Sequence, residues 1–196
     1  GSDQITVTVV AITEPAFAGN DTAVCVGSAD LQLMGTPVGG TWSGTGVSSG
    51  GTFSAATEGS FTVTYSFGSA TCLLQDQVSV VVHPLPVVDA GDQIATCLDG
   101  GPQVLTATPP GGTWSGTGVD AAGNFDPLVA VPGGNTVTYT YTEPSTSCSN
   151  SDNTLVTVNP LPVADFMHAP VACGDVAFPF TNTSTGGNTY EWSFGD

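Results

Sequence analysis

Apolar and polar residues alternate in two stretches, Phe61-Thr-Val-Thr-Tyr-Ser-Phe67 and Val137-Thr-Tyr-Thr-Tyr141. A period of two sends successive side chains to opposite faces, so each stretch predicts a half-buried β-strand. The largely apolar run over residues 78–82 suits a strand buried on both faces or lying at a module junction. Gly-Gly, Ser-Gly and Pro-Gly pairs punctuate these segments, and no window carries a 3.6-residue period. The pattern predicts an all-β chain.

The strands belong to a repeat. The nonapeptide GGTWSGTGV occurs at 39–47 and again at 111–119, an offset of 72. Cys25 and Cys97 share that offset, as do Phe53 and Phe125. The Thr-Val-Thr-Tyr strands at 62–65 and 136–139 are offset by 74. Cys72 and Cys148 are offset by 76, as are the two Pro-Leu-Pro-Val segments at 84–87 and 160–163. The drift is a loop insertion around residues 128–132, which a surface turn tolerates. Asp3-Gln-Ile-Thr-Val-Thr-Val9 resembles Asp76-Gln-Val-Ser-Val-Val-Val82. The reading is therefore a last strand of a preceding module at 1–13, complete modules at 14–83 and 84–160, and the start of a different module at 161–196. Such a chain is expected to be a piece of a longer array.

About seven short strands per module point to a small immunoglobulin-like β-sandwich. Trp42 and Trp114 then lie on short strands that open after a Gly-Gly turn. A Trp so placed is expected in the core, where it buries on the order of 200 Å². The competing reading is an exposed platform for a sugar ring. Phe53 and Phe125 join the expected core, with Trp192 in the third segment.

Charge narrows the choice of partners. There is no Lys or Arg against 17 acidic residues, a formal charge of −17. Nucleic acid and anionic membrane surfaces are poor partners without basic residues to displace counterions. No ion pair to a Lys or Arg of the same chain can form. The acidity suits solubility at a crowded surface. No apolar run approaches 18 residues, so direct insertion into a membrane is not expected.

Five cysteines without metal-like spacing suggest disulfides in an oxidising compartment. The repeat suggests pairing within modules, Cys25 with Cys72 and Cys97 with Cys148, with Cys173 left for a partner beyond residue 196. Loops of 47 and 51 residues would each contribute about 4 kcal/mol by constraining the unfolded chain. A staple from first strand to last hairpin would resist peeling of the terminal strands.

GGTWSGTGV, the following Gly-x-Phe, Thr-Val-Thr-Tyr and the closing Pro-Leu-Pro-Val-Val-Asp-Ala-Gly together resemble repeats of giant Bacteroidetes-type cell-surface and gliding-motility adhesins exported by the type IX route. Pro162-Val-Ala-Asp-Phe166 and Tyr190-Glu-Trp-Ser-Phe-Gly-Asp196 resemble the start of a PKD domain, another β-sandwich. Both resemblances imply extracellular, non-catalytic architecture. Asp21-Thr22-Ala23 matches the O-glycosylation motif of such bacteria, which makes Thr22 a candidate in a glycoprotein.

Catalytic chemistry has little to work with. His83 and His168 stand at or near Pro-containing boundaries without a nucleophile or orienting partner in the sequence pattern. The absence of Lys removes Schiff-base chemistry and Lys–Asn isopeptide cross-links. Calcium is the one cofactor considered, through Asp89 and Asp92 at a module junction. The expectation is an elongated array of disulfide-stapled Ig-like modules in an extracellular, cell-surface adhesin or filament, not an enzyme. Its partners would be neighbouring modules and a surface polysaccharide or substratum. The alternative is an accessory, carbohydrate-binding or spacer region of a secreted hydrolase.

Overall fold

The computed structural model describes residues 3–4, 14–69, 72–168 and 179–193. The strand expected from a preceding module falls almost wholly outside these residues, as do Cys173 and residues 194–196. The described residues contain strands and no helix. The fold is all-β, with two tandem β-sandwich modules and a third, smaller β segment.

The first module holds β1 (Thr22–Cys25), β2 (Leu31–Gln32), β3 (Thr41–Ser43), β4 (Thr52–Phe53), β5 (Gly59–Ser69) and β6 (Cys72–His83). Four of them form a sheet in the order β1-β6-β5-β3, and β2 pairs with β4. The second module repeats this with β7 (Ile94–Cys97), β8 (Gln103–Val104), β9 (Thr113–Gly116), β10 (Asn124–Phe125), β11 (Gly133–Thr142) and β12 (Ser149–Asn159). Its large sheet runs β7-β12-β11-β9, and β8 pairs with β10. In the third segment β13 (Phe166–His168) pairs antiparallel with β14 (Phe180–Asn182). By contacts the chain divides into two compact units, 1–86 with 142–149, and 87–141 with 150–196.

Each large sheet turns one face inward. Val63 and Tyr65 of β5, Val78, Val80 and Val82 of β6, and Trp42 of β3 pack with Phe53, Leu33, Ala18 and Ala55. The second core is built from Val137, Tyr139, Val156, Val158, Trp114, Phe125, Leu105, Ala90 and Ala130. Full burial of an aromatic such as Phe53 or Phe125 contributes roughly 2–3 kcal/mol. The run at 78–82 departs from burial on both faces: Ser79 and Val81 are half-buried, because β6 is a central strand of a sheet with one covered face.

The repeated nonapeptide is skeleton. Trp42 and Trp114 are each 6% exposed. Each meets the Tyr of the neighbouring strand, Tyr65 or Tyr139, at a ring-centroid distance of 5.0 Å. The Tyr hydroxyl then closes the Gly-Gly turn. Gly40 N–H donates to Tyr65 Oη at 2.8 Å, and that hydroxyl donates to the Pro37 carbonyl. Gly112 N–H donates to Tyr139 Oη at 2.6 Å, and the hydroxyl donates to the Pro109 carbonyl at 2.6 Å. A Cβ at Gly40 or Gly112 would sit within 2.5 Å of the Tyr ring, so only glycine lets the turn lie on it. At Gly51 and Gly123 a positive φ and the adjacent Trp indole impose the same choice.

The insertion at 128–132 has its own anchor. Asn135 stands at the repeat position of Phe61, which in the first module packs edge-on against Phe53 at 5.4 Å. Asn135 is 5% exposed and binds both backbone groups of Val131: Oδ1 accepts from its N–H at 3.1 Å, and Nδ2 donates to its carbonyl at 2.7 Å. Ala130 from the insertion is buried in the second core. A polar side chain thus replaces an aromatic one, with its hydrogen bonds satisfied by the loop it holds.

Candidate functional site

In each module the first and last strands of the large sheet lie side by side and run parallel. Thr22–Cys25 pairs with Val80–His83, in register Thr22 with Val80 and Cys25 with His83. Ile94–Cys97 pairs likewise, Ile94 with Val156 and Cys97 with Asn159. The ladder continues one residue further in both, through Val26 N–H to the His83 carbonyl and Leu98 N–H to the Asn159 carbonyl. The chain enters a module at one end of this pair and leaves at the other.

Carboxylates reinforce the same junction. With no Lys or Arg in the chain, several acidic side chains serve as acceptors for backbone N–H groups. Asp76 Oδ2 accepts from Ala18 N–H at 2.8 Å, and its repeat equivalent Asp152 accepts from Ala90 N–H at 2.9 Å. Asp21 Oδ1 accepts from Ser79 N–H at 2.8 Å. The bond from Ala90 N–H, then that from Asn153 N–H, holds the Asp152 carboxyl below its ordinary value of 3.8. Asp120 is also lowered, first by the Asn124 side chain.

A depressed folded-state pKa sets the sign of a pH effect. The ionised Asp152 stabilises the fold above the unfolded pKa, and that contribution is lost as pH falls through the lower folded value. In Asp152→Asn the neutral amide oxygen can still accept the N–H. Urea midpoints of the parent and this variant are expected to differ at pH 7 and to converge as pH falls through the lowered folded-state value of Asp152. A gap that persists at acid pH would assign the effect to shape rather than charge.

The cysteines pair differently from the within-module expectation. Cys25 is bonded to Cys148, with a Cα–Cα distance of 5.6 Å. Cys72 and Cys97 are free thiols in the described structure and are exposed. Strand length gives the reason. Cys25 lies opposite His83 at the end of β6, whereas Cys72 begins that strand, 11 residues earlier. At about 3.3 Å per residue the two ends are roughly 36 Å apart, far beyond the ~7 Å limit of a disulfide. The second module has the same spacing, because Cys97 lies opposite Asn159 and Cys148 precedes β12 by one residue. The bond therefore joins the end of β1 to the tip of the β11–β12 hairpin, and that tip groups with the first compact unit.

The other candidate residues fall as follows. Phe53 and Phe125 are fully buried. Trp192 is not a core residue here: it is 41% exposed and contacts Phe166 and Phe180. The described part of its segment offers a single two-stranded sheet, too little to enclose an indole. Asp89 Oδ1 accepts from Gly91 N–H at 2.8 Å, while the Asp92 carbonyl accepts from Thr154 Oγ1 at 3.1 Å. Among the described residues no three His, Cys, Asp or Glu side chains gather as a metal site. Thr22 is half-buried on β1 beside β6. His83 is half-buried and His168 exposed.

No family model matches the chain, and no curated protein matches it. Solved structures do resemble it. A SusE-like, surface-located polysaccharide-binding protein from the heparin utilisation locus of Bacteroides thetaiotaomicron is 10% identical, with a TM-score of 0.37 over 78% of this chain and 36% of that one. Drosophila N-cadherin EC1-4 is 10% identical, with a TM-score of 0.32 over 88% of this chain and 60% of that one. A three-Ig-domain fragment of titin is 13% identical, with a TM-score of 0.30 over 82% and 71%. The chain spans less than two thirds of the length of the first two.

Proposed function

We propose that this chain is a load-bearing, non-catalytic segment of an extracellular surface protein, the stalk of a repeat adhesin or filament used in attachment or gliding. The observation that carries this reading is the parallel pairing of terminal strands, repeated in both modules. Once the Cys25–Cys148 bond is opened, pulling the two ends of a module apart slides β1 along β6 and loads all their hydrogen bonds together. An antiparallel terminal pair would instead open one bond at a time. The disulfide adds a requirement for an oxidising compartment.

The accessory-region reading needs Trp42 and Trp114 on the surface. Both are core residues, so that reading loses its sugar platform at those positions.

Single-molecule pulling tests the load-bearing reading. Handles at residues 84 and 160 load β7 against β12 in shear. Handles at 84 and 153 pull the same strands apart from one end, since Asn153 lies three residues before the partner of Ile94. Unfolding under force follows the barrier for strand separation. The shear geometry is expected to require a severalfold higher force. Equal forces in the two geometries would remove the reading.

A further inference from the structure

Two exposed thiols in a chain that already carries a disulfide call for an explanation. Cys97 is the repeat equivalent of Cys25, and Cys72 is the repeat equivalent of Cys148. Both equivalents are bonded, and to one another. The local settings match: Cys25 and Cys97 each end a four-residue strand that runs parallel to the last strand of its module. Cys72 begins β6 and Cys148 immediately precedes β12, each at the turn into the last strand. Pairing within a module is closed to both by the length of that strand.

We propose that Cys72 and Cys97 are halves of further disulfides between repeats. Wherever another repeat of this type follows, Cys97 bonds its hairpin cysteine, and wherever one precedes, Cys72 bonds its first-strand cysteine. The rule is the one the structure displays, from the first strand of one repeat to the hairpin of the next. Applied along a run of such repeats, it gives a ladder in which each repeat is covalently tied to neighbours of its own type beyond the chain itself. Each new bond takes two thiols to one disulfide. The two electrons and two protons pass to a disulfide oxidant, which is reduced to two thiols. The exposure of both cysteines leaves them open to that exchange. This ladder rests on the repeat and the observed bond, and it stands or falls separately from the load-bearing reading.

Disulfide mapping by mass spectrometry tests it, with proteases directed at acidic and aromatic residues because the chain has no Lys or Arg. In the 196-residue chain, a linked Cys25–Cys148 peptide is expected, with Cys72 and Cys97 alkylated before denaturation. One extended chain carries a second copy of residues 84–160 inserted after Pro160, with the added hairpin marked by Ser149→Thr. There Cys97 should join the added hairpin cysteine and its alkylation should fall at least tenfold, while Cys25–Cys148 persists. Another extended chain carries a second copy of residues 14–83 placed before residue 14. There Cys72 should join the added first-strand cysteine. Survival of Cys25–Cys148 reports folding in each, so one failed construction leaves the other to decide. Free Cys97 or Cys72 in a folded extended chain would overturn the ladder. So would a Cys72–Cys97 bond, or pairing within modules in the parent chain.

Discussion

Trp42→Ala is expected to destabilise the first module by roughly 3–5 kcal/mol, the usual cost of emptying a large buried aromatic site. The indole is 6% exposed, lies against the Tyr65 ring and is roofed by Gly51, whose backbone approaches because no Cβ intervenes. Its loss leaves a cavity between the sheets and frees the Tyr65 ring that locks the Gly40 turn. A module of about 70 residues has a thin core, and a loss of this size consumes much of its stability. The damage should stay local. Trp42 belongs to the first core cluster, and Trp114 to a separate one. Hydrogen exchange resolved by residue is therefore expected to lose protection in β5 and β6 while β11 stays protected. A Trp42→Ala chain with unchanged stability would return the Trp to the role of a surface platform.

Cys148→Ser is expected to cost about 5 kcal/mol, because the bond to Cys25 closes a loop with a sequence separation of 123 and so restricts the unfolded chain strongly. Cys148 is fully buried, so the replacement hydroxyl also loses access to water. In the same 196-residue chain, Cys72→Ser and Cys97→Ser should change stability by no more than about 0.5 kcal/mol, since both are exposed and unbonded there. Denaturant midpoints of the three variants check this. Pairing within modules would instead make all three substitutions costly, so the asymmetry between repeat-equivalent cysteines is the discriminating result.

Strand periodicity and the repeat were both legible in the sequence, for physical reasons. Alternation at 61–67 and 137–141 is forced by a sheet with one covered face. The invariance of GGTWSGTGV between copies reflects a Trp–Tyr pair that leaves no room for side chains beneath it. The cystine was misjudged because self-alignment reveals which cysteines are equivalent, not which are near. The missing signal was available in strand lengths: a β6 of 12 residues separates Cys72 from the strand end that Cys25 faces. Asn135 was also missed. Its burial depends on the loop whose Val131 backbone it binds, and no periodicity announces such an exchange for Phe61. The structural work of Asp76 and Asp152 was hidden for a related reason. Their partners are main-chain N–H groups 58 and 62 residues away, which leave no mark in residue identity.

The Cys25–Cys148 bond also fixes how far the chain can reach. The intervening segment, 26–147, forms a closed loop, since its two flanking Cα atoms are held 5.6 Å apart. Fully extended, a segment of that size would measure about 400 Å at 3.3–3.6 Å per residue. While the bond holds, none of that slack can be drawn out, even if both cores were to melt. Tension arriving at Cys25 crosses directly to Cys148 and continues along β12. Reduction of a single bond would therefore pass the load to the parallel terminal pairs, and only their rupture would release the long tether.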